Sequence, residues 1–269
     1  MNKDPESGLL YRRWNATQAK AVLILAHGLG AHSGRWSALG KFFAERGVSS
    51  YALELKGFGE TPDLKGHIDS FDTYLADLKR LAEIAISEND ALKVFLCGES
   101  LGALIVILAV KRNPHLFEGL ICISPAFLSK MKLSFRIYAG ILTGLLFNPR
   151  KQFEVPFNSG MCTRDEAQMD VMDRDEREHR FATPKLFLNT LKAQAESASL
   201  RNWPEMPVLF LTAGDDKLVD TKSSVKVFNG IKIKDKEMIE YPEMYHSISI
   251  DLGKEKAFKD ILAWLEKRI

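Results

Sequence analysis

The sequence predicts an α/β fold in which helices cover both faces of a mostly parallel central sheet. Short apolar runs alternate along the chain with longer segments that have the apolar periodicity of helices. A continuous apolar run such as AVLILAHG (21–28) is typical of a strand buried on both faces, as in β-α-β units. The alternation breaks between about 126 and 200, which predicts a helical cap inserted into the sheet domain.

The strands are predicted from apolar runs that end at turn residues, and the helices from apolar residues at three- and four-residue steps. Strands are expected at 9–14 (an edge strand), 21–28, 48–55, 92–98, 118–124, 206–214 and 237–242. Helices are expected at 35–46, 70–87, 101–112 and 256–268. Gly47 ends the first helix, and the stretch GFGETPD (57–63) has the composition of turns.

The irregular segment divides the chain into a core of 1–125 and 201–269 and a cap of 126–200. The cap contains the charged stretch DRDERE (173–178), which we interpret as a solvated face, and His179, which we expect on a solvated helix. Carboxylates in that stretch have no supporting His or Cys for a transition metal. No metal site is predicted.

An apolar stretch at 132–149 is the most helix-like part of the cap. Leu133, Ile137, Ile141 and Leu145 form one stripe, and basic residues flank it on both sides. About 15 apolar residues are too few for a membrane span, which needs about 20. We expect this helix to line an acyl tunnel, with peripheral contact to a lipid surface as a further hypothesis.

Charge and the N-terminal sequence bear on partners and location. The chain has 37 Lys and Arg residues against 35 Asp and Glu, a net charge of +2, so nothing favours a nucleic-acid partner. The first residues lack a basic start followed by an apolar stretch, so a cytoplasmic location is expected. The sequence gives no oligomeric state.

The junction KVFLCGESLGALIVILAVKR (93–112) places Ser100 between Gly98 and Gly102, where a predicted strand becomes a helix. A Gly-x-Ser-x-Gly turn in this context is the nucleophile elbow of α/β-hydrolases. The alternative is a structural turn with a helix-capping serine. The sequence predicts an α/β-hydrolase fold with Ser100 as the nucleophile.

A serine nucleophile needs a base, and the base needs a carboxylate to orient it. In this fold the chain order is Ser, acid, His. His246 follows the last predicted strand and is therefore the expected base. The acid should follow the strand at 206–214, where Asp215, Asp216 and Asp220 are all available.

Two backbone N–H groups should stabilise the oxyanion that forms during acyl transfer. The first belongs to Leu101, the residue after the nucleophile, and the second is expected from the loop after an early strand. The stretch LAHGLGAHSGRW (25–36) fits that loop and places Leu29 at the required position. His27 is then expected to order the loop rather than to act as a base.

These motifs, in this order, resemble the monoglyceride lipase and lysophospholipase family of α/β-hydrolases. HGLGAHSGRW, LKGFGETP, IDSFDTYLADL, GESLGA, AGDDKLVD and YHSI are each similar to a stretch of that family. Phe58 stands where the family usually has His, and Ala103 where it has a second Gly. The resemblance covers about 9–125 and 204–268, and it places the acid at Asp216.

The resemblance implies hydrolysis of carboxylic esters of small lipid-like substrates, without a cofactor. The predicted catalytic residues are Ser100, Asp216 and His246, with Leu29 and Leu101 at the oxyanion, and the expected partner is a small ester with an acyl chain. The same triad could cleave a peptide or thioester bond, since a fold does not decide its chemistry. A third alternative is a non-catalytic ligand receptor on a hydrolase scaffold.

Overall fold

A computed structural model describes residues 1–269, which form ten strands, nine α-helices and two short 3-10 helices, Ser33–Trp36 and Pro114–Leu116. The strands are β1 (Asn2–Lys3), β2 (Leu10–Trp14), β3 (Ala21–Ala26), β4 (Val48–Leu53), β5 (Lys93–Glu99), β6 (Gly119–Ile123), β7 (Phe153–Glu154), β8 (Phe181–Ala182), β9 (Val208–Ala213) and β10 (Lys236–Tyr241). The helices are α1 (Ser37–Ala44), α2 (Asp72–Glu88), α3 (Leu101–Arg112), α4 (Phe135–Phe147), α5 (Ser159–Cys162), α6 (Glu166–Arg174), α7 (Pro184–Ala198), α8 (Thr221–Gly230) and α9 (Lys254–Glu266).

Eight strands form one sheet in the order β1-β2-β4-β3-β5-β6-β9-β10. The strands β1, β2 and β4 pair antiparallel, and every other pair in the sheet is parallel. Because β3, β5, β9 and β10 run in the same direction, their carboxyl ends meet at one edge of the sheet. The loops that leave these strands therefore supply side chains to a common site.

Both faces of the sheet are covered, as the apolar strand runs predict. Val22 and Ile24 of β3 pack into a cluster with α2 and α3. The alternate residues Leu23 and Leu25 pack into a second cluster with α1 and α9. Successive side chains of a strand point to opposite faces, so an entirely apolar strand requires helices on both sides. The predicted α/β-hydrolase architecture is confirmed.

Helix α8 is an element that the sequence interpretation missed. Its residues TKSSVKVFNG are mostly β-branched or small and polar, so intrinsic propensity gives little indication of a helix. Asp220 caps it by accepting a hydrogen bond from the N–H of Lys222 at 3.1 Å. Asp220, one of the three acids considered for catalysis, therefore serves as the N-cap of α8.

Between β6 and β9 the chain forms four helices, α4 to α7, and the two-stranded ribbon of β7 and β8. Helix α7 packs against both α3 and α4, so this segment covers the carboxyl edge of the sheet near the elbow. The cap boundaries at 126 and 200 remain a prediction. None of the helices combines the length and apolar character needed to cross a lipid bilayer.

Candidate active site

Ser100 lies in the sharp turn between β5 and α3, with φ 59° and ψ −115°. This backbone conformation is strained for a residue with a side chain, and such strain typically marks functional turns. The two glycines of the motif are sterically required: a Cβ on Gly98 would lie 2.3 Å from the Gly102 carbonyl oxygen, and one on Gly102 would lie 2.0 Å from the Ala26 carbonyl oxygen. The glycines therefore permit the close packing of β5, α3 and β3 that presents Ser100.

The structure brings together the three side chains that the sequence predicts. His246 Nε2 lies 2.8 Å from Ser100 Oγ, and His246 Nδ1 lies 2.8 Å from Asp216 Oδ2. An ionised carboxylate only accepts hydrogen bonds, so Nδ1 carries the proton of the neutral imidazole. Nε2 is then free to accept the hydroxyl proton of Ser100, which is the arrangement that activates a serine.

The carboxylate of Asp216 is held in place by backbone N–H groups of the residues that follow it. Its Oδ1 accepts the N–H groups of Leu218 and Val219 at 2.8 and 2.9 Å, while Oδ2 faces His246. Burial alone would raise the pKa of this carboxyl, but His246 and the two N–H donors outweigh burial and lower it. Asp215, by contrast, is exposed and pairs with Lys217. Of the three candidate acids, only Asp216 reaches the histidine.

The protonation of His246 follows from competing effects. Burial disfavours the charged imidazolium, but the adjacent Asp216 carboxylate, with help from Glu99, outweighs burial and raises the pKa of His246. The positive charge that arises when His246 takes the Ser100 proton is therefore stabilised where it forms. Both the position of His246 and its raised pKa therefore suit a base that accepts the Ser100 proton.

The loop after β3 approaches Ser100 closely, as predicted. A Cβ on Gly28 would lie only 3.1 Å from the Cβ of Ser100. The neighbouring N–H of Leu29 and the N–H of Leu101 donate to no acceptor within the protein, and both residues line the chamber that holds Ser100 and His246. Two unpaired donors beside a nucleophile are suited to an oxyanion.

His27 orders this loop, in agreement with the expectation. Its Nδ1 lies 2.9 Å from the Gly28 carbonyl oxygen, and its Nε2 accepts the N–H of Leu55 at 3.1 Å. Burial lowers the pKa of His27, which keeps the ring neutral and able to fill both roles. Both ring nitrogens are occupied, so His27 is not available as a base.

The chamber around Ser100 has a volume of about 90 Å³ and adjoins a larger cavity of about 240 Å³. The larger cavity is mostly apolar and is bounded by α4, α7 and the ribbon. Leu29, Ser129, Met131, Thr190 and Gln194 line both spaces. Leu133, Ile137 and Ile141 of the predicted stripe line the larger cavity, whereas Leu145 does not. An apolar space is therefore continuous with the nucleophile.

The charged stretch DRDERE is only in part the solvated face that we predicted: Asp173, Arg174 and Glu176 are exposed, but Asp175 and Glu178 are not. The side chains of Asp175 and Glu178 are 14% and 6% exposed and contact His32 and Arg35 of the core. His179 is also not on a helix: it lies in a loop, and its N–H donates to the Gly30 carbonyl oxygen at 2.8 Å. Sequence reasoning could not detect these pairings, since the partners are more than 140 residues apart.

Two buried charged residues beside the nucleophile were also missed. Glu99 accepts the N–H and the hydroxyl of Ser249 at 3.0 and 2.8 Å, and burial raises its pKa. Arg35 lines the Ser100 chamber and pairs with Glu178. Glu99 directly precedes Ser100 in the GESLG motif, and this position is the sequence signal that could have identified it as part of the site. Glu99 ties the elbow to the loop that carries His246.

Comparison with known proteins gives consistent results over nearly the whole chain. The family model described as "Serine aminopeptidase, S33" matches residues 17–253. The chain is 30% identical over 260 residues to phospholipase YtpA of Bacillus subtilis, covering 95% of this chain and 99% of that one. It is 26% identical to human monoglyceride lipase, covering 97% and 87% of the two chains. The crystal structure of Paleococcus ferrophilus monoacylglycerol lipase superposes with a TM-score of 0.87 at 25% identity, covering 97% of this chain and 99% of that one.

Proposed function

This chain belongs to the α/β-hydrolase family described as serine aminopeptidase, S33, and we propose that it cleaves esters through an acyl-enzyme on Ser100. The chain is a serine hydrolase that acts on ester bonds of lipid-like substrates, in line with its similarity to a phospholipase and to monoacylglycerol lipases. The peptidase, thioesterase and receptor alternatives are not favoured. The observation that carries the mechanism is the hydrogen-bonded Ser100–His246–Asp216 series beside an apolar cavity.

In the first half of the reaction, Ser100 Oγ forms a bond to the ester carbonyl carbon while its proton passes to His246 Nε2. The carbonyl oxygen becomes an oxyanion and accepts hydrogen bonds from the N–H groups of Leu29 and Leu101. Asp216 stabilises the imidazolium. When the tetrahedral intermediate collapses, the bond to the alcohol oxygen breaks and the alcohol leaves with the proton from His246.

In the second half, water enters the position of the alcohol and gives a proton to His246 Nε2 as its oxygen bonds to the acyl carbon. The oxyanion again occupies the Leu29 and Leu101 donors. Collapse of this intermediate breaks the bond to Ser100 Oγ, which recovers its proton from His246. The products are a carboxylic acid and free enzyme, and no step requires a cofactor.

The apolar cavity beneath α4 is proposed to hold the acyl chain, and p-nitrophenyl esters from acetate to palmitate test this. The wild type should hydrolyse esters of medium or long acyl chains fastest, and Ser100→Ala should lose this activity. Replacing Ile141, a buried cavity residue, by Trp should lower kcat/KM for the long esters by about 5- to 150-fold, because the indole and a long acyl chain would overfill the cavity at a cost of about 1–3 kcal/mol.

The matched control for that variant is Leu252→Trp, which changes a leucine outside this helix. Leu252 is 48% exposed and does not line the cavity. It should leave the whole profile within about twofold of the wild type, whereas Ile141→Trp should retain activity on acetate. Wild-type activity confined to acetate, or equal effects of both variants, would contradict acyl binding in this cavity.

Helix α4 is also proposed to rest on lipid surfaces. Phe135, Leu142, Leu146 and Phe147 are 86, 64, 79 and 85% exposed, an unusual cluster for a surface facing water. Lys132, Arg136, Arg150 and Lys151 lie on this helix or within a few residues of its ends, are exposed, and form no ion pairs within the protein. Exposed apolar residues accompanied by free cations suit the interface of an anionic bilayer.

Co-sedimentation with phosphatidylglycerol-containing vesicles measures this contact. The double variant Leu142→Glu, Leu146→Glu should weaken vesicle binding at least about tenfold, because each leucine contributes about 1.5–3 kcal/mol when buried. The control Leu252→Glu changes an exposed leucine outside this helix and should bind normally. A wild-type protein that stays wholly in the supernatant would refute membrane contact.

A further inference from the structure

The segment 175–179 of the cap, here called the strap, lies against the loop 28–35 that carries Leu29. We propose that the strap holds this loop in its catalytic conformation, so that Glu178 and its partner Arg35 are positioning residues for the oxyanion donor of Leu29. The inference rests on the proposed role of Leu29. It assigns a catalytic consequence to a cap segment that touches no reacting atom.

The first contact is a two-pronged ion pair. Arg35 Nε and Nη2 donate to Glu178 Oε1 and Oε2, both at 2.6 Å. The two side chains are only 9% and 6% exposed. Paired donors and acceptors fix orientation as well as distance, and a buried pair that loses one member leaves a charge unsatisfied. This pair therefore defines how the strap and the loop sit together.

The second contact acts one residue from Leu29. The N–H of His179 donates to the Gly30 carbonyl oxygen at 2.8 Å. Gly30 has φ +77°, and a Cβ there would lie 2.7 Å from the His179 carbonyl oxygen. Only glycine permits both the conformation and the approach. The backbone of the strap thus supports the loop next to the peptide group that faces the oxyanion.

The third contact joins the first residue of the strap, Asp175, to His32 in the middle of the loop. His32 Nε2 lies 3.2 Å from Asp175 Oδ2, while His32 Nδ1 accepts the N–H of Gly34 at 3.1 Å. Burial, with a contribution from Arg177, lowers the pKa of His32 to about 4. The neutral ring donates through Nε2 and accepts through Nδ1. Arg177 in turn holds Asp175 with hydrogen bonds of 2.8 and 2.6 Å.

The opposite side of the loop is held by the core. Glu54 Oε2 accepts the N–H of Ser33 at 2.7 Å, and His27 Nδ1 donates to the Gly28 carbonyl oxygen at 2.9 Å. The loop is thus supported by the sheet domain on one side and by the cap on the other. Loss of the cap contact should leave a folded protein in which Leu29 is less well placed.

The experiment compares Glu178→Gln with Glu176→Gln, using p-nitrophenyl acetate so that acyl-cavity contacts play no part. Glu176 is exposed and forms no ion pair, so it is a matched carboxylate in the same strap. Glu178→Gln should lower kcat about 10- to 100-fold with KM within about twofold. Complete loss of one oxyanion donor typically costs about 10²–10³-fold, and the expected loss is smaller because the N–H of Leu29 is displaced rather than removed. Glu176→Gln should match the wild type.

A trifluoromethyl ketone inhibitor provides the readout that a purely structural role would not change. It forms a tetrahedral adduct with the serine, so its inhibition constant should rise in proportion to the loss of kcat/KM. Thermal unfolding identifies any variant that does not fold, in which case Asp175→Asn, at the other end of the strap, takes its place with a smaller expected loss.

The possible outcomes are distinct. If Glu178→Gln or its substitute is folded and keeps kcat and inhibitor affinity within about twofold of the wild type, the positioning role is wrong. If Ser100→Ala is inactive in the same assay, the proposed function stands regardless of that result. If Ser100→Ala retains full turnover, the proposed function is wrong, and the positioning role that rests on it is wrong as well.

Discussion

Replacing Ser100 by Ala should lower kcat for any ester substrate by about 10⁴–10⁶-fold. The hydroxyl is the group that forms the acyl bond, and its distance of 2.8 Å from His246 Nε2 shows that it is already aligned for proton transfer. Knockouts of comparable nucleophiles leave only the catalysis supplied by the oxyanion donors and by substrate binding, which sets this scale. Steady-state rates on p-nitrophenyl esters measure the effect.

The control for this variant is Ser199→Ala, which removes an exposed serine hydroxyl at the end of α7. It should turn over at the wild-type rate. Thermal unfolding of both variants checks that the fold is retained. Near-normal activity in a folded Ser100→Ala variant would rule out the acyl-enzyme mechanism.

Replacing Asp216 by Asn should lower kcat by about 10⁴-fold, although the new side chain has nearly the same shape. The N–H groups of Leu218 and Val219 both point at Oδ1 and require an acceptor there. The amide oxygen of Asn must occupy that position, which turns its NH₂ group toward His246 Nδ1. Nδ1 then accepts, the ring proton moves to Nε2, and Nε2 can no longer accept the proton of Ser100.

The adjacent Asp215 supplies the matched control, because it is exposed and pairs with Lys217 rather than with the histidine. Asp215→Asn should change kcat by no more than about threefold. If the two asparagine variants lose activity equally, the assignment of the acid to Asp216 is wrong. The comparison separates the triad from the general charge of this loop.

The three residues that meet at the candidate active site could be predicted from sequence because their positions depend on local rules. Ser100 is marked by glycines that close packing demands, and His246 by its place after the last strand. Apolar runs likewise predict the buried strands, since a strand covered on both faces must be apolar throughout. These relations are short in range, so one sequence contains them.

The features that were missed depend on distant pairings or on weak propensity. The charged side chains of 173–178 were all predicted to face solvent, but the fold places Glu178 against Arg35, 143 residues earlier in the chain. Helix α8 forms from residues with poor intrinsic propensity, because its Val227 and Phe228 pack on the core. In both cases tertiary contacts override what the local pattern indicates.

The most direct test of the central claim is to react the protein with a fluorophosphonate that carries an alkyl chain and to map the adduct by mass spectrometry of peptides. Fluorophosphonates phosphonylate an activated serine by displacing fluoride. We expect one adduct per chain, located on Ser100, and slower labelling of Asp216→Asn. An adduct on another residue, or no adduct on the folded protein, would refute Ser100 as the nucleophile.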